Sequence, residues 1–120
     1  MKMQFCTPEL PVSSVSSAMT ALHNLGFRKA WTYEDSFGCV FGDGDIEIFL
    51  RKEPAPTPCT LYFKVDDADA FYDRYKRYAE ILVPIHDTSW GMREFTGRVT
   101  DDHTFRIGHG LPQGEDRRTL

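Results

Sequence analysis

Leu10-Pro11-Val12-Ser13-Ser14 leads into an amphipathic stretch that stops at Gly26-Phe27, and Phe63-Lys64-Val65-Asp66-Asp67 leads into a second that stops at Ala79-Glu80, 53 residues further on. In each, a short β-type run ends in valine, and two residues able to cap a helix follow it. The first helical pattern puts Val15, Ala18, Met19, Leu22 and Leu25 on one face, and adding 53 to each gives Ala68, Phe71, Tyr72, Tyr75 and Tyr78. Identity between the stretches is poor, yet the apolar positions, the preceding strands and the capping residues all coincide. A repeat of this size implies two similar halves built on one architecture. The competing account is two unrelated amphipathic helices with a common spacing.

Around these stretches the β-type runs fall in a matching order. Phe5 to Val12 reads as a first strand, with Pro8 and Pro11 suiting an edge or a strand end. Ser13 or Ser14 caps the helix by accepting from a free backbone N–H, and Gly26 stops it. Phe27 to Tyr33, Phe37 to Phe41 and Ile46 to Arg51 follow, the last two joined by the tight-turn sequence Gly42-Asp43-Gly44-Asp45. Lys52 to Pro58 carries Pro54, Pro56 and Pro58 and reads as an extended linker. Thr60 to Val65, a helix capped by Asp66 over about Ala68 to Tyr78, and the runs Ile81 to Ile85, Met92 to Val99 and Phe105 to His109 complete the second half. The expectation is an α+β chain of two tandem βαβββ modules, each a four-stranded sheet with a helix across one face. The helix covers one side only, so two such sheets are expected to line a cleft.

The chain has 120 residues, enough for one domain that buries roughly two-thirds of its unfolded surface. At 41% hydrophobic and 27% charged it has an ordinary globular composition, and no apolar run approaches the ~20 residues a bilayer span requires. Met1-Lys2-Met3-Gln4-Phe5 lacks the apolar stretch of a secretory signal. Cys6, Cys39 and Cys59 are odd in number and fit reduced thiols, so a cytoplasmic protein with no membrane partner is expected. A net charge of −4 disfavours nucleic acid, which needs a basic face.

At this point the chain resembles the vicinal oxygen chelate superfamily, which includes glyoxalase I, extradiol dioxygenases and the bleomycin resistance proteins. The resemblance spans about Phe5 to Gly110. It rests on Leu10-Pro11-Val12, Leu25-Gly26-Phe27, Gly44-Asp45-Ile46-Glu47-Ile48, Val65-Asp66-Asp67, Asp87-Thr88-Ser89-Trp90-Gly91-Met92-Arg93-Glu94-Phe95, and Asp101-Asp102-His103-Thr104-Phe105-Arg106-Ile107-Gly108. The Trp-Gly-Met-Arg-Glu-Phe run is the most specific and is similar to the bleomycin-resistance-like branch. Val99-Thr100-Asp101-Asp102 replaces the usual Asp-Pro-Asp-Gly turn, without its proline and glycine. The resemblance implies one domain over 1–110, with modules about 3–51 and 60–109 and a polar tail over 111–120. It also implies a homodimer whose cleft is formed by sheets, often from both subunits. Exchange of halves between subunits through the proline-rich linker is a further possibility.

Metal-dependent members of that superfamily place His, Gln or Glu at inward positions of the first, fourth, fifth and eighth strands. By motif, those positions here are Thr7, Glu47, Thr60 and Arg106. Threonine is a poor ligand for a divalent ion, and arginine repels one, whereas a catalytic centre usually has three protein ligands. No histidine has a partner at a spacing such as His-x-x-x-His, and no nucleophile or phosphate-loop motif is present. Solvated or singly hydrogen-bonded histidines are therefore expected, with neither metal nor cofactor. Glu94 beside Arg93 could act as an acid or base, but an ordinary strand-surface pair is the better reading.

Strand alternation puts Phe5, Glu9, Phe49, Arg51, Tyr62, Lys64 and Thr104 on the face of those four positions. Ile46, Ile48, Leu50, Leu61, Phe63, Val65, Phe105 and Ile107 fall under the helices. Trp31, Phe37, Glu47, Phe49, Tyr62, Trp90, Arg93 and Arg106 are the candidate ligand-binding residues. The aromatics can stack on a planar ligand; Trp90 can instead plug a sheet edge, and Arg93 can brace the Trp90-Gly91 loop. The leading expectation is a metal-independent protein of the bleomycin resistance type that sequesters an aromatic or cationic, antibiotic-like small molecule. The alternatives are a metal-dependent glyoxalase- or dioxygenase-like lyase or oxygenase using Glu47, and a regulatory or immunity module whose cleft is vestigial.

Overall fold

The computed structural model describes residues 1–112, so nearly all of the expected tail over 111–120 lies outside the described residues. The chain divides into two compact units, Met1–Cys59 and a second that begins at Thr60. The first unit contains β1 (Glu9–Val12), α1 (Val15–Asn24), β2 (Arg28–Tyr33), β3 (Phe37–Phe41) and β4 (Glu47–Lys52). Its sheet has the order β1-β4-β3-β2, with β1 parallel to β4 and the other pairs antiparallel. The second contains β5 (Thr60–Lys64), α2 (Ala68–Tyr78), β6 (Glu80–Asp87), β7 (Met92–Arg98) and β8 (Thr104–Gly110), with a 3-10 turn at Thr100–Asp102. Its order is β5-β8-β7-β6, again with the first and last strands parallel. The two units are the same βαβββ arrangement, as the repeat implies.

Local chemistry explains the helix ends. Ser14 is extended and accepts from the Ser17 N–H at 3.2 Å. At the other end Gly26 has φ 107, its N–H donates to His23 O, and the Phe27 N–H reaches back to Leu22 O. That pair of bonds needs a left-handed residue, which glycine supplies at no steric cost. In the second unit the cap is Asp67, which accepts from Ala70 N–H at 3.2 Å, and not Asp66. The helix starts at Ala68, so the adjacent side chain is the one that reaches the exposed donor. No glycine stop follows α2; Ala79 is extended and the chain runs straight into β6. Tyr78, expected on the apolar face, is accordingly 56% exposed.

The cores lie between each helix and one sheet face. Leu10, Val12, Val40, Ile48 and Leu50 meet Val15, Ala18, Met19 and Leu22, all buried. Burying such a side chain contributes about 1.5–3 kcal/mol. α1 approaches β3 at Gly38, where a Cβ would sit 2.8 Å from Val15 Cγ1. In the second unit Phe95 packs on Tyr75 and Tyr72 at ring separations of 5.3 and 5.1 Å, and Phe63 on Phe105 at 4.9 Å.

Two expected positions are corrected. Phe5 is exposed and precedes β1, which begins at Glu9; Pro8 has no N–H to extend the ladder and contributes only its carbonyl, to Phe49 N. Ile46 is exposed, not under the helix, because it closes the Gly42–Asp45 turn through its own N–H to Asp43 O and its carbonyl to Gly42 N. Val99-Thr100-Asp101-Asp102 manages its turn with Asp101 and Asp102 at φ 53 and 61, a conformation aspartate tolerates better than most residues.

Cys39 is fully buried, and burial, assisted by Glu47, pushes its thiol up to about 11. Cys6 and Cys59 are exposed. Thiol titration of the native protein near pH 8 should therefore count two of the three cysteines, with the third appearing only in denaturant. Rapid reaction of all three would contradict the burial.

Candidate functional site

In the first unit, strand pairing sets Trp31, Cys39 and Phe49 in one cross-strand row, and Phe37 in the next row along. This is the face away from α1. Trp31 stacks on Phe37 with ring centroids 5.7 Å apart and planes 28° apart, and Phe49 lies 6.0 Å from Trp31 and 5.3 Å from Phe37. Trp31 is 45% exposed while Cys39, in the same row, is fully buried. Three of the sequence-predicted site residues are thus joined in one aromatic patch. On the same face Glu47 accepts from the Thr7 hydroxyl at 3.0 Å, and Arg51 pairs with Glu9 at 2.6 Å and Glu53 at 3.3 Å.

In the second unit the face away from α2 brings together Tyr62, Arg106 and a residue not singled out for the site, Glu94. Arg106 donates to Glu94 Oε1 at 2.6 Å, and the Tyr62 hydroxyl donates to Oε2 at 2.9 Å. The Arg106 guanidinium also lies 5.1 Å from the Tyr62 ring centroid. Glu94 is only 4% exposed, so this carboxylate depends on both partners. Gly108 permits the arrangement: a Cβ there would lie 2.5 Å from Tyr62 Oη and 2.9 Å from Glu94 Cβ.

Glu94 and Arg93 are not a pair. They alternate along β7, and Arg93 lies toward the helix, holding Asp69 in the first turn of α2 at 3.0 Å and Asp87 at 2.9 Å. That alternation, with Gly108 opposite Glu94 in the register, was the available signal for a buried carboxylate. Arg93 thus braces α2 and the end of β6. Its hydrogen bonds hold the Asp69 carboxyl below its ordinary value of 3.8. A depressed carboxylate stabilises the fold above its unfolded value, and the contribution is lost as pH falls through the lower folded value. Arg93→Gln should therefore reduce stability at neutral pH and flatten the acid limb below roughly pH 4, seen in urea melts across pH. An unchanged acid limb would exclude Asp69 from acid unfolding.

Trp90 sits in the β6–β7 turn. The turn is tied by Thr88, whose hydroxyl and N–H donate to Met92 O at 3.0 and 2.7 Å, and Gly91 has φ 88. The indole is 56% exposed, so the plug account does not describe it. Trp90→Ala should cost less than ~1 kcal/mol in denaturant melts, as at surface sites generally. A loss of ~3–5 kcal/mol, the cost of a buried tryptophan, would contradict that exposure.

The residues that the sequence resemblance sets at metal-ligand positions have partners of another kind. Thr7 and Glu47 bond each other, Thr60 bonds Thr104 at 2.7 Å, and Arg106 bonds Glu94. In the first unit a carboxylate with one hydroxyl, and in the second a hydroxyl with a guanidinium, do not make a donor set for a divalent ion. Among the described residues no group of three or more His, Cys, Asp or Glu could hold a metal. His109 is singly hydrogen-bonded, as expected: its Nδ1 accepts from Ala68 N–H at 2.8 Å, completing the start of α2. His103 differs from a solvated turn histidine, being fully buried beside the 3-10 turn.

Comparison with solved structures identifies the architecture. A glyoxalase-related enzyme from Clostridium phytofermentans superimposes with a TM-score of 0.81 at 19% identity, over 92% of this chain and 98% of that one. A bleomycin resistance determinant encoded on the transposon Tn5 gives 0.73 at 19% identity, over 90% and 98%. A bleomycin-binding protein from bleomycin-producing Streptomyces verticillus, solved with copper(II)-bleomycin, gives 0.69 at 19% identity, over 92% and 98%. No family model matches the chain, and no curated protein matches it. The fold is that of the glyoxalase/bleomycin resistance/dioxygenase proteins. No helix among the described residues is long and apolar enough to cross a membrane.

Proposed function

We propose that this chain is a metal-independent binding protein of the bleomycin resistance type, holding a small aromatic, antibiotic-like compound without transforming it. The observation that carries this reading is the Trp31–Phe37–Phe49 patch, contiguous and partly exposed on the sheet face away from the helix. Planar rings add about 0.5–1.5 kcal/mol per aromatic contact beyond area burial. In the second unit Trp90, on its exposed turn, is taken by itself as a separate stacking surface at low entropic cost. The bleomycin-resistance and bleomycin-binding proteins of the same fold support the choice of ligand class. A metal-dependent lyase or oxygenase would have to work from Glu47 with two threonines and an arginine, and the chemistry of that set argues against it.

The same reading includes a cytoplasmic homodimer. Each sheet has two edge strands, and β6 exposes Leu82 and Val83. Pairing between copies would cover such edges. Light scattering at micromolar concentration should give twice the monomer mass; a monomer would overturn the dimer and leave the ligand reading to be judged by calorimetry. Titration calorimetry against glycopeptide and planar aromatic antibiotics should find at least one ligand in the micromolar range or tighter. Heats of dilution alone across the panel would overturn the binding function.

A further inference from the structure

A carboxylate on the aromatic face of the first unit stands without a counter-charge among the described residues. Glu47 lies across from Phe41 in the β3–β4 pairing and two residues before Phe49 on β4, so it shares the face of Trp31, Phe37 and Phe49. The Thr7 hydroxyl donates to Oε1, while Oε2 has no partner and no basic side chain lies within ion-pair distance. Other carboxylates lack a cation too, but Glu34, Asp43 and Asp45 are exposed in turns, where water serves them. Glu47 is half-buried, on a strand, beside the rings. The basic groups of this face do not supply the charge. Arg51 is held by Glu9 and Glu53. Arg28 stands in the Glu47 row with Phe41 between them, two strand spacings or about 10 Å away, and its guanidinium donates to Gly42 O at 3.3 Å. Cys39, in the row with Trp31 and Phe49, adds no charge at neutral pH: burial first, and the Glu47 charge second, push its thiol up to about 11. The field of Glu47 therefore reaches the patch.

We infer that Glu47 is the charge-recognition point of the aromatic site, and that the ligand is an organic cation: a protonated amine carried on a planar ring. The inference rests on the reading of Trp31, Phe37 and Phe49 as the site of a small aromatic molecule, and every residue it uses lies in the first unit. An ammonium N–H can donate to Oε2, and a charge-assisted bond of this kind is about twice as strong as a neutral one. The rings favour the same sign of charge, because their faces are negative and attract a cation within about 6 Å of the centroid. A ligand anion would meet repulsion from the carboxylate and from the ring faces alike. Thr7 suits this role: a hydroxyl orients the carboxylate without neutralising it, which a lysine or arginine in its place would do. The half-buried position matters as well, since salt screens a partly buried pair much less than an exposed one.

Calorimetry with 2-naphthylmethylammonium, the neutral 2-naphthylmethanol and the anion 2-naphthoate tests this directly. The ammonium should bind about tenfold tighter than the alcohol, or better, and the naphthoate should bind weakest. Glu47→Gln keeps the length of the side chain and an acceptor for Thr7; it should bind ammonium and alcohol equally, with its affinity for the alcohol unchanged. In the unaltered protein, the carbon-13 resonance of the Glu47 side-chain carboxyl should move with the ammonium and stay in place with the alcohol, a readout that needs no variant to fold. Equal affinity for ammonium and alcohol, a preference that survives in Glu47→Gln, or a Glu47 resonance indifferent to the ammonium would overturn the inference while leaving aromatic binding intact. Tightest binding of the naphthoate would overturn it in the same way and point to Arg28 instead. No binding of any of these probes would overturn the aromatic-ligand reading and the inference with it.

Discussion

Gly108→Ala should destabilise the protein by about 2–4 kcal/mol, the sum of an overpacking cost and the loss of a bond to a buried carboxylate. A Cβ at Gly108 would sit 2.5 Å from Tyr62 Oη, 2.9 Å from Glu94 Cβ and 3.2 Å from Arg93 O. The hydroxyl, at the end of a side chain, can swing away, but only by releasing Glu94. The other two contacts belong to the neighbouring strand β7, paired to β8 through Glu94 and Gly108, and relieving them means moving backbone. Urea melts give the size of the effect. Tyr62→Phe separates its parts: with the hydroxyl gone, adding the alanine at 108 should cost less than it does alone. Strict additivity would put the strain wholly in the strand pair. A change within ~0.5 kcal/mol, the range of an ordinary surface substitution, would mean that the Tyr62–Glu94–Arg106 group is not rigid.

Trp31→Ala should weaken aromatic ligands ten- to a hundredfold, the range of a hot-spot aromatic that loses about 1.4–2.8 kcal/mol of binding. Trp31 is the most exposed ring of its patch and stacks at 28° on Phe37, so it presents a face while its own orientation is held. The fold should survive, because the core of this unit lies on the opposite side of the sheet. Phe49→Ala should also weaken binding, but with a larger loss of stability, since Phe49 is half-buried between Trp31 and Phe37. Trp31→Phe, which keeps a ring, should recover most of the affinity. Unchanged affinity in Trp31→Ala would remove the patch from the site.

Features set by local chemistry were legible in the chain. Val12-Ser13-Ser14 and Val65-Asp66-Asp67 mark two strand-to-helix turns, and Gly42–Asp45 marks a hairpin, because capping and left-handed turns depend on neighbours in sequence. From these the paired βαβββ order followed. The failures share a cause. Phe5, Ile46 and Tyr78 all stand at the ends of elements, where a periodic pattern continues after the hydrogen bonds have stopped. Glu94 was missed because its partners are 32 and 12 residues away, and only the register of three strands brings them to it. Arg93 and Glu94 read as neighbours along the chain, while the pleat sends them to opposite faces. For the site, the composition of the aromatic patch could be read from alternation, but its contiguity depended on Trp31 lying across from Cys39, beyond a bulge after Lys29.

The central claim is binding without chemistry. Its most direct test is to incubate the protein with a calorimetrically identified aromatic ligand in chelator-treated buffer, release the ligand by denaturation, and weigh it by mass spectrometry. The account predicts near-stoichiometric recovery at unchanged mass, with affinity indifferent to added zinc, nickel, manganese or iron. A product of altered mass that accumulates over many turnovers, above all one that requires a restored metal and disappears in Glu47→Ala, would contradict it.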